Sequence, residues 1–272
     1  MTQVLSFANF KGGVGKTSTT ALTAYNLAKL GKKVLVIDFD AQANITSMLV
    51  KTKNLGVTDD TIITINKTLM YAINNEVPLS EIVLSITDNL DLIPNAVDFS
   101  IYSRYLEKNF DSEFDKISFF KNLLEPLKHQ YDFIFIDVPP TLSLLNDTAF
   151  YSCDQIIIVL QTQERSLSGA EVFVEYLVEN IKNEFNSNVD VLGILPVLSK
   201  KGSPVDQEIL RAATDEFGEE WIFDSKINIM ERIKRMDMQG ITDNPRDIHD
   251  KNVHLKFTNV ANELLERLES EG

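Results

Sequence analysis

Lys11-Gly12-Gly13-Val14-Gly15-Lys16-Thr17 is a glycine-rich run with a lysine at its start and a second lysine before a threonine. Residue types at this spacing hold phosphate. Glycines let backbone N–H groups close around phosphate oxygens, a lysine at position 16 reaches the β- and γ-phosphates, and the hydroxyl of Thr17 suits Mg²⁺. The general pattern G-x-x-x-x-G-K-[ST] is altered at its start, where Asn9-Phe10-Lys11 stands in place of the leading glycine.

Acidic residues lie where a bound nucleotide would need them. Asp38 and Asp40 follow the apolar run Val34-Leu35-Val36-Ile37, and Asp137 follows Phe133-Ile134-Phe135-Ile136. If both runs are strands beside the one that leads into the loop, three carboxylates converge on the phosphates. Mg²⁺ takes octahedral oxygen ligation, keeps several waters, and is held by a Ser/Thr hydroxyl, phosphate oxygens and nearby carboxylates. Thr17 is the expected direct ligand, with Asp38 and Asp137 as the acidic candidates.

The elements needed to position these groups are legible. Gln3–Ala8 is a β-compatible run, and Thr17–Leu30 carries Leu22, Tyr25, Leu27 and Leu30 at helical spacing. Strand, glycine-rich turn and helix follow in order, so the first-turn N–H groups, through Ser18, and the helix dipole favour an anion at the loop. Further apolar runs at 133–136, 156–160 and 191–195 are continuous, as a sheet buried on both faces requires. Leu90-Asp91-Leu92-Ile93 adds a strand, and Leu255–Leu268 reads as a closing amphipathic helix. The expectation is a mostly parallel, doubly wound α/β sheet of the P-loop NTPase type, with ligands at the carboxyl ends of the strands.

A chain of 272 residues with 44% hydrophobic residues can bury one large core, so a single domain over residues 1–272 is expected. No apolar run is long enough to span a bilayer, and the N-terminus lacks a secretory pattern, which points to the cytoplasm. The single Cys153 cannot pair internally and reads as a small core residue.

The run Lys11–Thr17 resembles the deviant Walker A motif of the ParA/MinD superfamily. In that superfamily the first lysine reaches the nucleotide of a partner subunit, which implies that Lys11 acts across a dimer. Asp137-Val138-Pro139-Pro140-Thr141 resembles the family's Walker B and switch II, with Asp137 acting on Mg²⁺ through water. Asp38-Phe39-Asp40-Ala41-Gln42 resembles switch I, in which Asp40 positions the attacking water. Asp91–Pro94, Tyr131-Asp132, Gln161-Thr162-Gln163-Glu164 and the last helix extend the resemblance to ParA-type partition ATPases over nearly the whole chain. The short class, without an N-terminal helix-turn-helix domain, is the one implied. Two positions depart from the pattern: Ala41 replaces a usual Pro, and Ile227-Asn228-Ile229-Met230 replaces Ile-Pro-Arg-Asn near the adenine. ATP is the nucleotide implied, although the spacing alone does not exclude GTP.

The formal net charge of −14 opposes unselective adhesion to nucleic acid unless basic groups cluster. Lys200 and Lys201 form one cluster, and Arg232, Lys234 and Arg235 form another. Both resemble positions at which ParA proteins bind DNA without sequence preference. The resemblance therefore implies an ATP-bound homodimer on nonspecific double-stranded DNA, associated with the nucleoid and stimulated by a ParB-type centromere-binding partner. A MinD-like membrane-cycling ATPase is the rival reading. It needs a basic amphipathic terminus, whereas Glu263, Glu266, Glu269 and Glu271 make this one acidic. A metabolic enzyme on the same scaffold, such as a carboxylating ligase, is a third. An iron–sulfur carrier lacks its cysteines.

Overall fold

The computed structural model describes residues 1–55, 65–162, 166–200 and 202–270. Gln163, Glu164, Lys201 and Glu271, all named above, lie outside the described residues.

Strand β1 (Gln3–Ala8) turns through the glycine-rich loop into helix α1 (Lys16–Lys29). Then come β2 (Val34–Asp38), α2 (Asn44–Asn54), α3 (Leu69–Asn74), β3 (Leu84–Thr87), β4 (Leu90–Ile93), α4 (Tyr102–Asn109) and α5 (Glu113–Lys128). The chain continues through β5 (Phe133–Asp137), α6 (Leu144–Ser152), β6 (Gln155–Gln161), α7 (Ser166–Tyr176), β7 (Asp190–Ser199) and α8 (Pro204–Phe217). It ends with β8 (Ile227–Asn228), α9 (Glu231–Gln239) and α10 (Ile248–Ser270).

These strands form one sheet in the order β3-β4-β2-β5-β1-β6-β7-β8. Every neighbouring pair is parallel except β3–β4. Parallel pairing demands a crossover between consecutive strands, and the intervening helices supply it. The mostly parallel α/β fold expected from the apolar runs is therefore the observed one. Its order places β5 directly beside β1 and β2 beside β5, so the loop after β1 and the ends of the two acid-bearing strands are neighbours.

Side chains alternate into two apolar layers. Leu35, Ile37, Ile134 and Ile136 face a layer that includes Phe39, Phe99, Tyr102 and Phe120. Leu5, Phe7, Val34, Val36 and Phe135 face the opposite layer, with Leu22 of α1 and Phe257, Val260 and Leu264 of α10. Phe7 and Phe135 stack across adjacent strands at 5.8 Å. A fully buried side chain of this kind is worth about 1.5–3 kcal/mol, and this packing fixes the strand ends that carry the site. Cys153 is buried in the first layer, as expected.

α10 begins at Ile248, seven residues before the apolar spacing suggests. Polar contacts secure its first turn: the buried Asp250 carboxylate accepts from Arg232 Nε, Thr242 Oγ1 and the Asn244 N–H. Among the described residues no helix is long and apolar enough to cross a membrane.

Candidate nucleotide-binding site

The loop between β1 and α1 is braced at both ends. Asn9 donates from Nδ2 to the Val159 carbonyl of β6 at 2.7 Å, and its Oδ1 accepts the Lys11 N–H at 2.8 Å. This side-chain turn sets the chain's exit from β1. Phe10 packs its ring against Phe173 at 4.7 Å and edge-on to Tyr176 at 5.3 Å. Tyr176 in turn hydrogen-bonds Asp147 of α6. The residue before Lys11 is thereby tied to α7, and through it to the helix that follows β5. Gly13 and Gly15 have φ of +72° and +84°, the left-handed region in which only glycine is unstrained.

Lys16 is buried, and its ammonium donates to the Lys11 carbonyl at 3.1 Å. Burial lowers its pKa, while the charges of Asp137 and Asp40 oppose the shift. The ammonium thus lies inside the loop, facing two carboxylates. Thr17 hydrogen-bonds Asp137, and Ser18 Oγ donates to Asp237 Oδ1 of α9 at 2.8 Å.

Asp38 and Asp137 stand opposite each other in the β2–β5 register, both buried. Burial, then the charge of Asp38, pushes the Asp137 carboxyl up to about 8. Burial likewise raises Asp38 to about 6, against hydrogen bonds that favour its charged form. Asp137 Oδ1 is buried and has no hydrogen-bond partner among the described residues. A buried acceptor without a donor is costly, and this one lies beside the Thr17 hydroxyl in an all-oxygen donor set. The set suits a hard divalent cation and its waters. Asp38 differs: Oδ1 accepts the Asp40 N–H at 3.0 Å and Oδ2 the Thr46 N–H at 3.1 Å. These bonds make it the anchor of the loop into α2.

Asp40 is half-buried, and its Oδ1 accepts the Gln42 N–H at 2.9 Å. The segment after β5 is held by Asn146, which donates from Nδ2 to the Pro139 and Thr141 carbonyls at 2.8 and 2.7 Å. Gly12 lies against Pro140, where an added Cβ would be 3.5 Å from Pro140 Cγ. Gly13, Lys16, Thr17, Asp40, Pro140 and Asp237 are among the residues lining an open cleft of about 750 Å³. The structure therefore brings together the loop from Lys11 to Ser18, Asp38, Asp40 and Asp137. Sequence reasoning missed Asn9, Asn146 and Asp237. Only Asn9, adjacent to the motif, carried a local signal.

Among the described residues, the basic candidates Lys200, Arg232, Lys234 and Arg235 do not line this cleft. Lys234 is exposed and pairs with Glu231 at 2.7 Å, Arg235 is exposed, and the Lys200 N–H donates to Asp206. Arg232, the third basic candidate on α9, is ion-paired within the fold. Its guanidinium reaches Asp250 Oδ1 at 2.5 Å and Asp247 Oδ2 at 3.0 Å, so it joins α9 to α10. The physical reason is the buried Asp250 carboxylate, which requires a charged donor.

The family model described as AAA domain (AAA_31) matches residues 2–191. The chromosome-partitioning ATPase Soj of Treponema pallidum is 30% identical over 219 residues, covering 80% of each chain. Two solved structures share the fold. A Cyanothece McdA variant in complex with ATP has a TM-score of 0.78 at 23% identity, over 97% of this chain and 96% of that one. Cobyrinic acid a,c-diamide synthase from Mycobacterium smegmatis, with an ATP analogue and magnesium, has a TM-score of 0.80 at 22% identity, over 100% and 97%. Since the family model takes in the phosphate loop and both acid-bearing strands, and the Soj match extends beyond it, this chain belongs to the ParA/Soj family of AAA_31 partition ATPases.

Proposed function

We propose that the chain is a single P-loop ATPase domain that binds Mg-ATP, dimerises on it, engages DNA without sequence preference, and hydrolyses ATP under stimulation by a ParB-type centromere-binding partner. One observation carries the nucleotide step: the bare, buried Oδ1 of Asp137 lies beside Thr17 beneath a loop whose Lys16 ammonium faces inward. Thr17 would hold Mg²⁺ directly and Asp137 through water. Bound there, the cation would neutralise charge developing on the β- and γ-phosphates. Asp38 keeps Asp40 in place, and Asp40, at the cleft, orients the attacking water. Lys11 serves the partner subunit's nucleotide.

Lys234 and Arg235 are the groups we assign to DNA phosphates, with Lys200 and Lys201 beside them in role. Arg232 shapes α9 and does not face the duplex. Cargo is a plasmid or chromosome, and the chain works in the cytoplasm on the nucleoid. The exposed Glu266 and Glu269 near the end of α10 disfavour the membrane-cycling alternative, because anionic lipid would repel them. A metabolic ligase on the same scaffold is the second reading, favoured by the fold shared with the diamide synthase.

Gel shifts on two unrelated duplexes, with ATP, ADP or no nucleotide at several salt concentrations, test the proposal. ATP-dependent binding to both duplexes is expected. Absence of binding in every nucleotide state would remove the DNA step and favour the ligase.

A further inference from the structure

The cleft has a second wall that the phosphate chemistry does not use. Helix α9 packs against α2 and brings Asp237 and Met238 into the same cleft as Lys16, Thr17 and Ser18. Two features of that wall face the cleft. Met238 is 66% exposed, a large apolar side chain left in solvent beside an anion site. Asp237 places a carboxylate 2.8 Å from Ser18 Oγ, one residue beyond the Mg²⁺-binding threonine. A negative group so near bound phosphate is unfavourable unless hydrogen-bond donors match it. Ser18 supplies one donor, and a carboxylate has room for more.

A nucleotide whose terminal phosphates meet Lys16, Thr17 and Asp40 carries its sugar on the phosphate farthest from them. The sugar hydroxyls are the first neutral donors along that chain, and the base edge lies a further sugar's length away. We propose that Asp237 is a specificity-determining residue that accepts a ribose hydroxyl of the bound nucleoside triphosphate, with Met238 as the apolar face against which the nucleoside rests. The assignment rests on the nucleotide reading above and extends it. The carboxylate–hydroxyl pair selects ribonucleotides over deoxyribonucleotides, as acidic residues that bind the ribose of dinucleotides do. The soft thioether tolerates either purine. Asn228 is already committed at the β8 end, donating from Nδ2 to the Ser199 hydroxyl at 2.9 Å.

The test is a competition titration against a fluorescent ATP analogue with Mg²⁺, using ATP, 2′-deoxy-ATP, 3′-deoxy-ATP and GTP on the full chain. The wild type should bind one deoxy analogue roughly tenfold or more weakly than ATP, the size of a hydrogen bond to a charged acceptor. Asp237→Ala should bring that ratio close to one while retaining triphosphate binding. Asp237→Asn, still an acceptor, should retain part of the discrimination, which a merely structural role would not produce. Met238→Ala should weaken ATP and GTP alike and leave the deoxy ratio unchanged. Equal wild-type affinity for ATP and both deoxy analogues would overturn the assignment while leaving the ATPase reading intact, as would undiminished discrimination in Asp237→Ala. Failure of the wild type to bind any nucleoside triphosphate would overturn both.

Discussion

Asp38 and Asp137 face each other across adjacent parallel strands, two buried carboxylates held in register at the mouth of the phosphate loop. Each is desolvated, and the charge of Asp38 adds to the cost of ionising Asp137. The hydrogen bonds of Asp38 from the loop into α2 relieve part of that cost, whereas Asp137 retains an oxygen without a donor. This asymmetry separates their roles and leads to the first prediction.

The Asp137 carboxyl titrates near 8 when folded, against an ordinary value of 3.8. A raised folded pKa gives stability that is full below the unfolded value and is lost as pH rises through the folded one. Thermal melts of nucleotide-free protein should therefore show Tm falling between about pH 5 and pH 8.5, at roughly 2–4 °C per kcal/mol for a chain of this size. Asp137→Asn should weaken that dependence and raise Tm at pH 8.5 while abolishing turnover. An unchanged slope in the variant would show that the burden lies elsewhere, with Asp38 the first alternative.

The two loop lysines should fail differently. Lys16→Ala removes the inward ammonium and should cost nucleotide affinity, read by fluorescent ATP binding. Lys11→Ala should still bind ATP but form no ATP-dependent dimer in sedimentation, since a charge interaction between subunits would be missing. Normal dimerisation and hydrolysis by the Lys11 variant would refute its cross-subunit role.

Asp40→Ala should lower turnover with little loss of ATP affinity, as expected for a group used mainly in the transition state. An accumulated ATP-bound dimer in sedimentation is the expected outcome. Loss of ATP binding would instead make Asp40 a structural residue or metal ligand.

The basic cluster of α9 should divide into two behaviours. Arg232→Ala leaves the buried Asp250 without its charged donor and should cost about 3 kcal/mol in urea unfolding, toward the lower end for a buried pair because Arg232 is partly exposed. Lys234→Ala with Arg235→Ala should leave unfolding unchanged. That double variant should instead flatten the salt dependence of DNA binding, by about 0.9 log unit per log unit of salt for each phosphate no longer neutralised. If the double variant binds DNA as before, the duplex lies against another face.

Much of this molecule is written locally. The glycine spacing from Gly12 to Gly15, the lysines at 11 and 16 and the apolar runs that end in Asp38 and Asp137 are short-range patterns, so loop, strands and their ligand-bearing ends were legible without coordinates. The antiparallel β3, with two apolar residues against the three of β4, and the two-residue β8 were not, because so few apolar positions carry no distinctive period. Tertiary structure alone decided the roles that depend on partners far away in the chain. Ser18 meets Asp237 across 219 residues, Asn9 reaches Val159 across 150, and Arg232 is turned from solvent toward Asp250. Residue type and spacing fix which groups are available. Which of two equally charged side chains faces solvent and which satisfies a buried carboxylate is set by desolvation, and desolvation exists only once the helices have packed.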